Sequence, residues 1–373
     1  MRVLILNAGS SSLKASVVDA AQTLARTSVG WGADASRRPD RAAGLRSALD
    51  ELFVAGVPLG SVEAVGHRVV HGGERYVQAT VVDDALVRTV TELTDLAPLH
   101  NVVAAETMVA ALRALPDAPH VAVFDTAFHA GLPEAARTYP LPLRWRDEWG
   151  IRRFGFHGLS VEWAVERTAE LLERPVAELR LVVAHLGSGC SVTAVDGGRS
   201  VETSMGLTPL EGLMMGTRAG SIDPGILLHL LGRRRLRLST LRDVLDHGSG
   251  LLAVSGATSD MRVLAEAADQ GDERAGLAIA LFVRRAAAAL AAATTALPAL
   301  DAVVFTGGIG EHASGVRAQI VERLRAVGVA PVATTDTPDD AIISAPGARP
   351  AVVRVEARED LVAARHVEAA LAW

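Results

Sequence analysis

The chain's one lysine, Lys14, closes the stretch NAGSSSLK (Asn7–Lys14) directly behind the apolar run Val3–Leu6, and the rest of its 37 lysine-plus-arginine residues are arginine. An ammonium is a compact point charge with three rotatable donors, whereas a guanidinium is a wide planar fork. A site shaped around a single phosphate oxygen therefore discriminates between them. Two further glycine-rich stretches follow apolar runs in the same way: HLGSGC (His185–Cys190) and TGGIGE (Thr306–Glu311). Backbone N–H groups in such loops, or at the helix start behind them, cradle phosphate. One such loop is what any tight turn uses; three together point to a phosphorylated ligand. The first two also echo each other, since LNAGSSSLKASVVD ends at Asp19 as HLGSGCSVTAVD ends at Asp196. Each reads as a strand, a Gly/Ser turn and an alternating second strand, the pattern of a β-hairpin with a phosphate-sized tip, and the echo implies two related halves.

Between the loops lie segments with more polar groups than strand ends need: GHRVVHGGE (Gly66–Glu74), LAPLHN (Leu96–Asn101), FDTAFH (Phe124–His129), RRFGFHG (Arg152–Gly158), ETSMGLTPLEGLMMGTRAGSIDP (Glu202–Pro224) and SGLLAVSGATSDMR (Ser249–Arg262). Guanidinium forks suit carboxylates and phosphates alike. Phosphoryl transfer needs positioning and charge neutralisation more than covalent chemistry, so arginines, histidines and a metal carboxylate are the expected equipment. Arg68 stands among His67, His71 and glycines, and Arg218 between Met-Gly-Thr and Ala-Gly, settings unlike those of a surface arginine. His129, His229 and His247 read as structural.

The elements that must hold these groups are short apolar strands at Val3–Leu6, Val65–Val70, Val121–Phe124, Leu181–Ala184, Ala302–Phe305 and Ala351–Val355. Helix-like segments separate many of them, including Ala85–Leu96, Val102–Leu115, Val161–Leu172 and Val316–Val327. The class is α/β. At 373 residues the chain exceeds what one core serves, so two domains with a ligand cleft between them are expected. A net charge of -6 without like-charge blocks argues against nucleic acid and against a membrane partner. The arginines 233–235 and 237 read as a solvated helix end. The single cysteine, Cys190, excludes a disulfide framework and fits a reducing cytoplasm. The N-terminal apolar run is too short for a signal-peptide core. Gly276–Leu300 contains Arg284 and Arg285 and reads as a buried helix rather than a membrane span.

The strings HRVVHGGE and TPLEGLMMGTR, with the three loops in order from Val3 to about Glu359, resemble the acetate/propionate kinase family of the actin-like and sugar-kinase ATPase superfamily. The resemblance implies two ribonuclease-H-like (actin-like ATPase) domains with a cleft between them. The first is expected over 1–126, completed by the C-terminal helix 358–373, and the second, nucleotide-binding one over 127–357. The implied reaction is ATP + acetate ⇌ ADP + acetyl phosphate with Mg2+ or Mn2+, in a cytoplasmic homodimer. Arg68 and Arg218 match the active-site arginines that hold the carboxylate and the transferring group, and His157 the histidine donating to the transition-state oxygens. His100 matches a second active-site position and Asp125 the catalytic aspartate. A carboxylate acceptor has no hydroxyl proton to remove, so Asp125 is expected to orient Arg68 or metal-bound water rather than act as a base.

The resemblance assigns the acetate methyl pocket to Val70, Leu99, Phe156 and Pro209, and the metal to Asn7 and Glu359. It assigns ATP to Lys14, Ser10 and Ser12, to His185, Gly187, Ser188 and Gly189, to Asp260, Met261 and Arg262, and to Gly307, Gly308, Ile309, Gly310 and His312. Ser188 and His312 stand where the family usually has asparagine, Leu159 and Val161 depart after the catalytic histidine, and Ser221 replaces an acid. These departures bear on donor choice. A propionate or other short-chain acyl kinase, a catalytically weakened nucleotide-binding relative and a sugar or glycerol kinase are the competing readings; the last needs a base beside a hydroxyl and a wider polar pocket.

Overall fold

The computed structural model describes residues 1–9, 12–31, 40–97, 100–334, 337 and 339–372. Ser10 and Leu99, both expected in the site, lie outside the described residues.

The apolar runs become the inner strands of two six-stranded sheets. In the first sheet β1 (Val3–Ala8) forms a hairpin with β2 (Ser12–Asp19), which is flanked by the antiparallel edge strand β3 (Gln22–Gly30). On its other side β1 runs parallel to β4 (Ala64–Val69). Next comes parallel β6 (His120–Phe124), with the short antiparallel β5 (Thr80–Val81) at the far edge. The second sheet uses β7 (Arg180–Leu186), β8 (Cys190–Asp196), β9 (Arg199–Thr203), β10 (Ala302–Thr306), β11 (Ala341–Ile342) and β12 (Ala351–Arg354). Its order, β11-β12-β10-β7-β8-β9, reproduces β5-β6-β4-β1-β2-β3 strand for strand, with the same parallel and antiparallel senses. The sequence echo falls on the matching hairpins β1–β2 and β7–β8. Even the bulges coincide, between Val17 and Val18 in one and Ala194 and Val195 in the other.

By contacts the chain divides into unit 1, comprising Met1–Ala130, Phe156–Leu159 and Arg358–Trp373, and unit 2, comprising Gly131–Gly155 and Ser160–Ala357. This differs from the expected 1–126 and 127–357. Residues 127–130 and 156–159 belong with unit 1 because buried His129 donates from Nε2 to the Phe156 carbonyl (3.0 Å) and Gly158 N–H donates to the Asp125 carbonyl (3.0 Å).

In unit 1 the helix Arg41–Val54 buries Leu45, Ala48, Leu49 and Leu52 in a cluster with Leu4, Leu6, Leu13 and Val17. The C-terminal helix Glu359–Leu371 buries Leu361, Val362 and Val367. Gly66 allows its close approach, since a Cβ there would meet Ile5 Cδ1 at 2.6 Å and Val367 Cγ2 at 2.8 Å. Each such buried side chain stabilises by about 2 kcal/mol. The ion pair of the Met1 amino group with Glu368 (3.3 Å) is solvent-exposed and contributes about 0–1 kcal/mol, so packing holds this helix. In unit 2 the helix Glu273–Thr294 is long and apolar enough to cross a membrane. One face, including Ile279, Phe282, Val283 and Leu290, is buried in the unit, and off that face stand Arg284, exposed, and Arg285, half-buried, which marks a core helix.

Candidate active site

In unit 1, β4 and β6 are parallel neighbours, and the Asp125 N–H extends their ladder by one bond to the Val69 carbonyl (3.0 Å). That register sets Arg68 against Asp125: Nε donates to Oδ1 (2.9 Å) and Nη2 to Oδ2 (2.7 Å). Glu359, the first residue of the C-terminal helix, pairs its Oε2 with Arg68 Nη1 at 2.7 Å. Asp125 is 1% exposed. Burial opposes the charge on Arg68, but the two carboxylates outweigh it and its pKa moves up. The bonds to Asp125 use two of a guanidinium's five N–H donors and the Glu359 ion pair lies at Nη1, so donors remain for an anion beside it.

The backbone around His157 is fixed from both sides. The Phe156 carbonyl takes the His129 bond, and Gly158 lies so close to Asp125 that a Cβ would come within 2.3 Å of its carbonyl oxygen. Between them His157 sits at φ 60°, the left-handed region that a non-glycine residue occupies only when its surroundings impose it. Burial lowers the His129 pKa to about 4, so it stays a neutral donor. Phe156 is buried and meets the His71 ring edge-on at 5.4 Å. Buried Asn101, which no sequence argument had singled out, accepts from His71 N–H (3.2 Å) and donates to the His71 carbonyl (3.0 Å). It follows His100 at the start of the helix Asn101–Ala114. Val70, just past β4, is half-buried.

Lys14 belongs to β2 rather than to the loop tip; it is exposed and lies opposite half-buried Asn7, and Ser12 begins the same strand. The tip is closed by Gly9 N–H to the Ser12 carbonyl (2.9 Å) and clamped by Trp31, whose indole N–H donates to the Gly9 carbonyl (2.8 Å). Among the described residues no three His, Cys, Asp or Glu side chains gather into a metal cage. Asn7 and Glu359 offer hard oxygen donors, on β1 and on the helix packed against it.

In unit 2 the two other glycine loops are neighbours, because β7 and β10 pair with His185 opposite Thr306. A Cβ on Gly187 would lie 3.9 Å from Gly308 N, and one on Gly307 (φ 76°) would lie 2.9 Å from the Leu186 carbonyl oxygen. The tip itself is closed by Gly187 N–H to the Gly189 carbonyl (2.9 Å) and by the Cys190 thiol to the Gly187 carbonyl (3.3 Å). Burial pushes that thiol up to about 12, so it is an inert packing group. His185 Nδ1 lies 2.8 Å from Ser160 Oγ.

The turn Met215–Arg218 joins this cluster: Gly216 N–H donates to the Ser188 carbonyl (3.1 Å), and Leu251 and Leu252 N–H donate to the Met215 and Gly216 carbonyls (2.9 and 3.0 Å). Arg218 Nη1 donates to the Pro209 carbonyl (2.7 Å), and burial lowers the Arg218 pKa. The carbonyl of buried Asp246 accepts from Thr217 Oγ1 (2.8 Å), and desolvation raises the pKa of its carboxyl while His247, Arg218 and Arg242 pull it back.

The remaining expected nucleotide residues divide. Asp260 caps the helix Met261–Asp269 by accepting from Arg262 N–H (2.9 Å) and forks with the Arg262 guanidinium, whose bonds hold its carboxyl down at about 2. Met261 is buried. The Cβ of Ser259 would sit 3.4 Å from one on Gly216, which brings this cap to the Ser188 tip. Ile309 is half-buried, Gly310 packs on Phe305, and His312 is exposed with Nε2 3.7 Å from Glu311 Oε2. Beneath the loop, fully buried Arg317 donates from Nη1 to the Gly310 and Glu311 carbonyls, both at 2.8 Å.

Residues 2–365 match the family model described as the acetokinase family. A protein named acetate kinase from Deinococcus radiodurans is 44% identical over 387 residues, 98% of this chain and 97% of that protein. Another so named, from Synechococcus sp. (strain JA-2-3B'a(2-13)), is 42% identical over 391 residues, 96% of each. Among solved structures, an acetate kinase from Porphyromonas gingivalis superposes with a TM-score of 0.89 at 31% identity. A propionate kinase from Francisella tularensis subsp. tularensis SCHU S4 does so with 0.91 at 33%, and 99% of each chain is covered in both cases.

Proposed function

The chain belongs to the acetokinase family, and we propose that it transfers the γ-phosphoryl group of ATP directly, in line, to the carboxylate of acetate, giving acetyl phosphate and ADP reversibly. The observation that carries this reading is the Arg68 cluster. A carboxylate acceptor needs a fixed cation and no base, and Arg68 has its charge and orientation set by Asp125 and Glu359 with donors to spare. Asp125 gives both carboxylate oxygens to Arg68, which supports an orienting role. Arg218 neutralises the transferring group, and His157 and His100 donate to its oxygens. Val70 and Phe156 meet the acetate methyl.

In unit 2 the neighbouring loops His185–Cys190 and Thr306–Glu311 take the nucleotide. Glu359 and Asn7 suit Mg2+ or Mn2+, since Mg2+ is usually held by one or two carboxylates with substrate phosphates rather than in an all-protein cage. Held by Glu359 and Asn7, such an ion would supply positive charge that offsets the charge of the phosphates. A homodimer is supported by the apolar helix Pro224–Gly232, which buries none of its residues; Leu228 is 72% exposed. The single buried cysteine suits a reducing cytoplasm.

The test traps acyl phosphate with hydroxylamine across acetate, propionate and butyrate, using ATP, GTP or pyrophosphate as donor. Acetohydroxamate that depends on ATP and Mg2+ is the expected result. No hydroxamate with any donor, from folded protein, favours the weakened nucleotide-binding relative. Likeness to a propionate kinase makes propionate the second acceptor to compare.

A further inference from the structure

We propose that Glu211 is a positioning residue for Arg218, acting through the backbone of Pro209; the inference rests on the phosphoryl-transfer role given to Arg218 above. The Glu211 carboxylate sits at a junction of three side chains. Its Oε2 accepts from the Tyr139 phenol and its Oε1 from Arg153 Nη2 (2.9 Å). Arg153 Nη1 reaches the carbonyls of Ser204 and Met205, both at 3.1 Å, and the Tyr139 oxygen in turn accepts from Leu207 N–H (3.0 Å). The Gly206 carbonyl takes Phe154 N–H at 3.0 Å. The segment from Ser204 to Glu211 is therefore anchored at both ends, and Pro209 between them presents its carbonyl to Arg218 Nη1 at 2.7 Å.

The junction has no slack. A Cβ on Gly206 would fall 1.8 Å from Glu211 Oε2 and 2.0 Å from the Tyr139 oxygen, so any side chain there would displace these two groups. Beyond Glu211 the chain turns at Gly212 (φ 104°) and is clasped by Ser221, whose hydroxyl accepts from Gly212 N–H (3.1 Å) and whose own N–H donates to the Gly212 carbonyl (2.9 Å). Arg218 lies inside that clasp. Arg153 and the Tyr139 phenol both donate to Glu211; an amide there keeps its oxygen for Arg153, without the charge, and turns its NH2 toward a Tyr139 oxygen that already accepts from Leu207 N–H, so the phenol's bond to residue 211 is lost and that arm is loosened. Releasing the arm frees the Pro209 carbonyl, and a guanidinium misplaced by about 1 Å costs on the order of 10² in rate.

The experiment is steady-state kinetics with acetate and Mg-ATP for wild type, Glu211→Gln, Arg218→Lys and the double variant. Glu211→Gln is expected to lower kcat about tenfold or more with KM for ATP within about twofold, and to lower it less than about twofold in the Arg218→Lys background, where no fork remains to be placed. Equal fold losses in both backgrounds, or no loss in either, overturn the proposal by assigning Glu211 to general stability or to none. Tyr139→Phe removes one O–H from the same junction and keeps the ring; it is expected to show the same coupling at smaller amplitude, and it decides the matter if Glu211→Gln does not fold. A wild type without acetate-dependent ADP formation sinks the function proposal itself, whereas an active wild type with uncoupled variants sinks this inference alone.

Discussion

Arg68 and Asp125 meet as a two-point pair, Nε to Oδ1 and Nη2 to Oδ2, and the carboxylate of that pair is 1% exposed. Breaking a buried pair by deleting one partner commonly costs 3–5 kcal/mol, because it strands the other charge. Here Glu359 also holds Arg68, at 2.7 Å, so loss of Asp125 leaves the guanidinium neutralised but free to swing.

Asp125→Asn keeps the shape and turns an NH2 toward a guanidinium that has nothing to accept it. We expect kcat to fall on the order of 10² and stability by roughly 1–3 kcal/mol, read by steady-state kinetics and a denaturant melt. Near-normal turnover would detach Asp125 from the orienting role.

The pH dependence of stability follows from two buried histidines. His120 donates from Nε2 to the Leu115 carbonyl (3.0 Å), so its Nδ1 must accept the bond from His67 Nε2 (2.9 Å). Burial, with His120 alongside, lowers the His67 pKa to about 3, and His129 is lowered to about 4. Unfolded, both take a proton near pH 6.5. The unfolded state therefore binds protons first on acidification. Their stabilisation is complete above that pH and is lost as the pH falls toward the folded values, with a slope of at most about 1.4 kcal/mol per pH unit for each. Denaturant midpoints between pH 7.5 and 4.5 should fall accordingly, and His129→Gln, which can still donate to Phe156, should flatten the slope. An unchanged slope in that variant would refute the assignment.

The inner strands were legible because strands buried on both faces in the middle of a sheet must be apolar nearly throughout, as Val3–Leu6 is. Edge strand β3 was not, since its residues alternate between exposed and half-buried and include Thr23, Arg26 and Ser28. Arg68 and Asp125 were legible from their strings. The Glu211 junction was not, because its partners Tyr139 and Arg153 are 72 and 58 residues away and meet it only through tertiary packing. Lys14 was placed at a loop end because the serines before it read as turn residues, while hairpin pairing carries β2 back to Ser12.

Chain-length preference should respond to Val70. It is half-buried just past β4, two residues from Arg68. One methylene in an apolar pocket is worth about 1–3 kcal/mol, so acetate should be preferred over propionate by a modest factor. Val70→Ala removes bulk, and the ratio of kcat/KM for propionate to that for acetate should rise. The ratio is read at saturating Mg-ATP; if it does not move in a folded, active variant, Val70 lies outside the acceptor pocket.

Gly308 separates a glycine kept for a ligand from one kept for the fold. Its neighbour Gly307 needs glycine for structural reasons, with φ 76° and a Cβ that would sit 2.9 Å from the Leu186 carbonyl oxygen. Gly308 has an ordinary φ, is exposed, and a Cβ there would meet nothing within 4 Å. The folded chain alone therefore accepts Gly308→Ala, and an alanine in the first turn of a helix gains roughly 0.5–1 kcal/mol over glycine. A nucleotide lying across the loop would meet the new methyl. The variant should melt at or slightly above the wild-type temperature, with KM for ATP raised several-fold and KM for acetate unchanged. A KM for ATP equal to wild type would mean that the nucleotide does not pass over Gly308, and the Thr306–Glu311 loop would then have to bind through the Gly310 side instead.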